Sequence, residues 1–160
     1  MSLGRAVVVT ASDRAAAGEY EDRSGLLAAT GLADLGFEVG DPVVVPDGDP
    51  VGVAIQEAVA GGAAVVVTTG GTGLGPRDRT PEVTRPLLDI ELPQLAAALV
   101  AYGTAHGVPT AVLSRGLCGV AGRTLVVNLP GSTGGVRDGL AVLAEVLPHA
   151  VAQLHGQGHG

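Results

Sequence analysis

Ala63-Ala64-Val65-Val66-Val67-Thr68-Thr69-Gly70-Gly71-Thr72-Gly73 decides the fold. Its first half is an unbroken apolar run, the pattern of a strand buried on both faces. Its second half empties into Gly70, Gly71 and Gly73. Asp78 and Thr80-Pro81-Glu82 then bring an acid and a helix start. Such a strand, opening through glycines towards a helix, is how α/β folds build phosphate sites. The glycines let backbone N–H groups approach a ligand, and the next helix offers its positive end. A flexible crossover loop is the alternative for a bare GGTG, because short glycine motifs recur by chance.

Working outward, Ala6 to Thr10 reads as a strand. Asp22-Arg23-Ser24 caps a helix over Gly25 to Leu35, stopped by Gly36. Val43 to Val45 is a further strand. Asp49 reads as a cap with Pro50 at the first helical position, opening a helix to about Ala60. Thr80 repeats that cap-then-proline pattern for a short helix to about Leu88. Pro93 opens a helix that ends at Gly103 or Gly107. Thr110 to Leu113 and Leu125 to Asn128 are read as two more strands. A last helix runs from near Ser132 to Leu154, its apolar positions in helical spacing. Solid apolar strands alternating with helices predict an α/β three-layer sandwich: a mostly parallel central sheet with helices on both faces. No repeat or linker divides the chain, so one domain is expected over 1–155. The polar, glycine-rich tail at 156–160 is expected to be disordered.

Ligands of such folds sit at the carboxyl ends of strands. Five polar or glycine-rich stretches fall at predicted strand ends: Ser12-Asp13, Asp47, the glycine run, Ser114-Arg115-Gly116, and Asn128 to Ser132.

Composition narrows the ligand. The 160 residues carry a net charge of −7, and all nine basic residues are arginines. A nucleic-acid partner wants a basic face, and single-strand binding wants aromatic platforms. The aromatics here are only Phe37, Tyr20 and Tyr102. Nucleic acid is therefore excluded as the expected partner, whereas a small phosphate ligand is not. No apolar stretch reaches the ~18 residues of a membrane span, and Met1 to Arg5 does not read as a secretory signal. A cytoplasmic protein without membrane contact is expected. Cys118, the single cysteine, cannot form an internal disulfide and reads as a small apolar residue at a strand end.

Asp47 and Asp78 are the candidate chemical residues. Two carboxylates beside a phosphate cradle suit Mg²⁺, which takes its remaining ligands from water and phosphate. Each also has a plain reading: a turn residue within Pro46-Asp47-Gly48-Asp49, and a charge near a helix N-terminus. Glu82 fits a helix start. Ser114 and Arg115 could bind a phosphate or a nucleotide edge, Arg115 equally a surface charge. Asn128 could bond a base or close a turn. The chain has no lysine for a P-loop, no G-x-S-x-G elbow and no dinucleotide fingerprint after the first strand. The histidines show no metal-binding spacing.

These motifs, in this order, resemble the MogA/MoaB family of molybdenum-cofactor biosynthesis proteins, the molybdopterin adenylyltransferases, which are related to the gephyrin G domain. The resemblance runs nearly end to end. It rests on Ser12-Asp13, Ala17-Gly18, Asp22 to Gly25, Val45-Pro46-Asp47, Thr68 to Gly73 with Asp78 and Thr80-Pro81-Glu82, Leu113-Ser114-Arg115, and Asn128 to Ser132. It implies an α/β domain that forms homotrimers and uses Mg²⁺. The implied reaction moves AMP from ATP to the terminal phosphate of molybdopterin and releases pyrophosphate. The product would pass to a molybdate-inserting partner protein. Asp47 and Asp78 resemble the family's two essential acids, and Gly70, Gly71, Thr72 and Gly73 its cradle. Asp13, Ser24, Glu82, Ser114, Arg115, Asn128, Gly131 and Ser132 resemble contacts to molybdopterin or ATP. Some MoaB-type members lack the acid at the Asp47 position. A non-catalytic molybdopterin binder or scaffold is therefore the alternative, followed by an unrelated nucleotide-binding module.

Overall fold

A computed structural model describes residues 2–156; of the tail expected to be disordered at 156–160, Gly156 is ordered, its N–H donating to the Gln153 carbonyl at 3.1 Å, and 157–160 lie outside the described residues. Its centre is a seven-stranded sheet. β1 (Arg5–Ala11), β4 (Val65–Thr69) and β7 (Thr124–Leu129) run parallel side by side, with β2 (Glu38–Val39) and β3 (Val43–Val45) both pairing with β1. Beyond β7 lie β6 (Cys118–Ala121) and β5 (Ile90–Glu91), each antiparallel to its neighbour.

The side-chain period of two splits the core between two faces. Val8, Val65, Val67, Leu125 and Val127 join Leu32, Leu143 and Leu147 on one face. These come from α2 (Arg23–Leu35) and α6 (Thr133–Leu154). Val9, Val66 and Val126 join Val51 and Ile55 of α3 (Asp49–Ala60) on the other. The absence of large aromatics is met by Val, Leu and Ile packed at zero to one per cent exposure.

Several expectations are corrected. Thr110 to Leu113 is not a strand but part of a 3-10 turn, Pro109–Leu113, with Val112 and Leu113 more than half exposed. Pro109 offers no N–H to a ladder, and a run of three apolar residues, Ala111 to Leu113, carries no periodicity that separates strand from turn. The strand at this point is β6, joined to β7 by a two-residue loop in which Gly122 takes φ +61°. That Gly-Arg pair between apolar runs was the available signal. Asp49 and Thr80 are not caps. They are the first residues of α3 and of α4 (Thr80–Thr84), whose N-caps are Gly48 and Arg79, neither with a side-chain cap bond. The helix expected to Leu88 ends at Thr84, followed by a 3-10 turn over Arg85–Leu87. α5 (Pro93–Ala105) ends between the two predicted glycines.

Candidate functional site

All five stretches meet at one rim. Four do so because parallel strands end there. Ser114-Arg115-Gly116 reaches it for another reason: it precedes β6, which is antiparallel, so the start of β6 lies beside the ends of β4 and β7. The loop from Gly70 to Asp78 stands at this rim as a wall between two cavities, of about 610 and 570 Å³.

The wall's shape follows from its contacts. Gly70 and Gly71 hold φ of +89° and +71°, and a side chain on either would overlap Ala11's carbonyl oxygen or the Thr80 hydroxyl. Thr80, fully buried, donates its hydroxyl to the Gly70 carbonyl (3.0 Å), and its N–H to the Gly71 carbonyl (3.0 Å). That pin, not capping, is its task. A Cβ on Gly73 or Gly75 would come within about 3 Å of the Asp78 carboxylate, which accepts the Gly75 N–H at 2.9 Å.

Arg115 braces the same wall from behind. Its backbone N–H donates to the Thr72 carbonyl (2.9 Å), its Nε to the Gly73 carbonyl (2.9 Å), and its Nη2 to the Asp78 carbonyl (2.8 Å). Nη1 meets Glu82 at 2.6 Å, and that guanidinium holds the Glu82 carboxyl below its usual range. The guanidinium of Arg115 is thus committed to the protein, and Glu82 with it.

The first cavity is acidic and polar. Asp13, Ser24, Asp47, Asp78, Gly70, Gly71 and Gly131 line it. Asp13 and Asp47 hold one another reciprocally: the Asp13 N–H donates to Asp47 Oδ2, and the Asp47 N–H to Asp13 Oδ1, both at 3.1 Å. Partial burial, with added repulsion from Asp13 and Asp78, pushes the Asp47 carboxyl above the usual aspartate value. Asp13 moves the other way, because Arg77 forks onto it through Nε and Nη2, each at 2.9 Å. Nothing local in Leu74-Gly75-Pro76-Arg77 singles out Arg77. Deeper in the cavity, Asp22 caps α2 by accepting the Gly25 N–H, while its other oxygen accepts the Thr10 hydroxyl at 2.8 Å. The N-terminus of α2, with Ser24 in its first turn, opens onto this space.

The second cavity is mostly apolar. Leu74, Leu99, Val100 and Val108 line it, with Thr72, Gly73, Ser114, Asn128 and Ser132 at its polar side. Asn128 is buried and fully engaged. Its Nδ2 donates to the hydroxyls of Thr68 (3.0 Å) and Thr84 (3.2 Å), and its Oδ1 accepts the Leu117 N–H (3.0 Å). Ser132 caps α6 by accepting the Gly135 N–H at 3.0 Å. The predicted site residues therefore share one rim but fall on two sides of the glycine wall.

Among the described residues, no group of three or more His, Cys, Asp or Glu converges as a ready metal cage. Asp47 and Asp78 still suit a hard divalent cation that draws most of its ligands from phosphate and water. Partial burial and the repulsion from Asp13 and Asp78 both raise Asp47, and such a cation would offset both. Cys118 is buried, its thiol pushed up to about 12 by burial, and takes no part. No helix among the described residues is long and apolar enough to cross a membrane.

Residues 7–149 match a family described as "Probable molybdopterin binding domain". The chain belongs to this family. It is 39% identical over 148 residues to the molybdopterin adenylyltransferase of Pyrococcus furiosus, covering 89% of this chain and 86% of that one. It is 44% identical over 157 residues to a molybdenum cofactor biosynthesis bifunctional protein of Synechococcus elongatus, covering 97% of this chain and 49% of that protein. The chain thus spans about half the length of the bifunctional relatives it matches. The solved Mog protein of Mycobacterium ulcerans superimposes with a TM-score of 0.91 at 49% identity, over 98% of this chain and all of that one. The MogA/MoaB resemblance is borne out, and with it a place in molybdenum cofactor biosynthesis.

Proposed function

We propose that this protein is a molybdopterin adenylyltransferase: it joins AMP from ATP to the terminal phosphate of molybdopterin and releases pyrophosphate. The observation that carries the reading is one glycine wall between two cavities of different character. The acidic cavity suits a metal-bound triphosphate: Asp47 and Asp78 would hold the cation, and Arg14 and Arg23 line the same space. The apolar lining, with Ser114 and Ser132 at its edge, favours the other for the pterin.

The chemistry needs little acid–base help. A pterin phosphate oxygen, ionised at neutral pH, attacks the α-phosphorus of ATP. One P–O bond forms as the α–β P–O bond breaks, and pyrophosphate departs with the electron pair. The difficulty is to bring two anions together in line, and positioning with electrostatic stabilisation supplies most of the catalysis in such transfers. Mg²⁺, held by Asp47 and Asp78, would supply positive charge to the polyphosphate. Asp47 and Asp78 would thus be metal-holding rather than proton-transferring residues. The backbone N–H groups of the glycine wall and the α2 N-terminus would orient the phosphates.

A homotrimer fits the surface. α5 carries no charged residue and leaves Ala97, Ala98 and Ala101 exposed beside the exposed Val112 and Leu113. Sedimentation should give the mass of three chains; the mass of one would contradict it.

The test is to mix purified protein with Mg-ATP and molybdopterin and follow adenylylated pterin and pyrophosphate. Product only when all three are present supports the enzyme. Molybdopterin binding without product supports a non-catalytic binder or scaffold instead.

A further inference from the structure

We infer that Arg77 is an exchangeable counter-ion, which leaves Asp13 and grips the polyphosphate when nucleotide enters. The inference rests on the adenylyltransferase reading and adds a positioning residue to it.

The geometry that carries it is the contrast in how the two arginines of the rim are held. Arg115 donates to two backbone carbonyls and one carboxylate of the wall, and its side chain is one-third exposed. Arg77 has one partner, Asp13, reached from a residue 64 positions away in the sequence, and its side chain is two-thirds exposed. An exposed ion pair of this kind contributes little to the fold, so releasing it costs little. Yet the pair is bidentate, and the planar fork that fits a carboxylate fits a phosphate equally well.

Position gives the fork its purpose. Arg77 adjoins Asp78, and its partner Asp13 is locked to Asp47 by two hydrogen bonds. The fork offsets part of the charge of Asp13 and, at longer range, of Asp47. An entering polyphosphate is repelled by those carboxylates and attracted by the fork. Handing the fork from Asp13, which lines the cavity, to a phosphate bound there moves the cation by about the width of one ion pair. Asp13 is then left with its bond from the Asp47 N–H, and the Asp13 backbone N–H still holds Asp47 Oδ2, so the aim of the Asp47 side chain is kept.

Binding of metal-free tripolyphosphate, Mg-ATP and adenosine would be measured by calorimetry on wild type, Arg77→Ala, Arg77→Lys and Asp13→Asn. Exchange predicts that Arg77→Ala weakens tripolyphosphate and Mg-ATP about tenfold or more, the scale of lost charge-assisted bonds, and leaves adenosine unchanged. Arg77→Lys falls between, because it keeps the charge but not the fork. Asp13→Asn, which frees the fork, tightens tripolyphosphate. Were the pair a fixed strap, both ends would fail alike: Asp13→Asn and Arg77→Ala would weaken binding together, adenosine included. That result overturns the inference, as does unchanged ATP affinity in Arg77→Ala. Wild-type protein that ignores Mg-ATP in every assay would instead sink the adenylyltransferase reading.

Discussion

The two sides of the glycine wall are built from the same loop but on opposite principles. On the acidic side, Asp13, Asp47 and Asp78 face a cavity in which only part of their charge is offset, and partial burial, with repulsion from Asp13 and Asp78 added, lifts Asp47 above its usual pKa. On the apolar side Asn128 spends its whole amide on Thr68, Thr84 and Leu117, and Ser132 caps α6, with Asp138 the one carboxylate in the lining. One side holds unrelieved charge and the other holds shape. Charge crowding that folding does not relieve points to a ligand that does, whereas a satisfied apolar hollow selects by fit.

The largest expected break in this contrast comes from the carboxylates. Asp47→Asn and Asp78→Asn should each lower turnover by about 10²–10³-fold, the scale of removing one preorganised electrostatic group, while molybdopterin affinity stays within error. Steady-state rates beside equilibrium pterin binding would decide it. A loss of pterin affinity as large as the loss of rate would mean that the two cavities are not separate in function.

Next come changes to the wall itself, which should damage both sides at once. Gly71→Ala forces a side chain at φ +71° onto the Thr80 hydroxyl. It should cost about 1–3 kcal/mol of stability and weaken both ligands; intact binding of either would show that the wall is softer than drawn. Arg115→Met removes three side-chain bonds to Gly73, Asp78 and Glu82. A loss of about 1–3 kcal/mol is expected from denaturant midpoints, with partial rescue in Arg115→Lys. If Arg115 instead binds phosphate directly, ATP affinity would fall with no change in the midpoint.

The smallest effect is on stability against pH. The native Asp47 carboxyl holds its proton more tightly than the unfolded chain does. Between the usual aspartate pKa and the raised native one, the folded state binds more protons, so stability falls as pH rises through that window. Asp47→Asn removes this penalty and should raise Tm slightly at pH 7, with the gain gone below the usual aspartate pKa. A lower Tm at pH 7 would mean that the carboxylate supports the fold rather than strains it.

What was legible in the sequence was local. The run from Ala63 to Gly73 announced a buried strand and a sharp glycine exit because both signals lie within a few residues. Asp22, Gly36 and Ser132 announced helix ends for the same reason. The illegible part is non-local. Thr80 looks like a cap, and only the approach of Gly70, ten residues back, gives its hydroxyl another task. Arg77 and Asp13 are joined by folding alone. Arg115 reads locally as a phosphate ligand or a surface charge, because the loop carbonyls that take its donors lie some 40 positions away. Thr110–Leu113 is illegible for the same reason, since the three apolar residues Ala111 to Leu113 do not say which neighbour they will meet.

The two-cavity arrangement is tested most directly by simultaneous occupancy. A non-cleavable analogue of ATP, α,β-methylene-ATP, would be titrated with Mg²⁺ into native protein, with and without saturating molybdopterin, and its Kd read by calorimetry. A wall between two sites predicts a ternary complex, with the analogue's Kd unchanged or tightened by pterin. Displacement of one ligand by the other, seen as a Kd that rises in proportion to molybdopterin concentration, would contradict it.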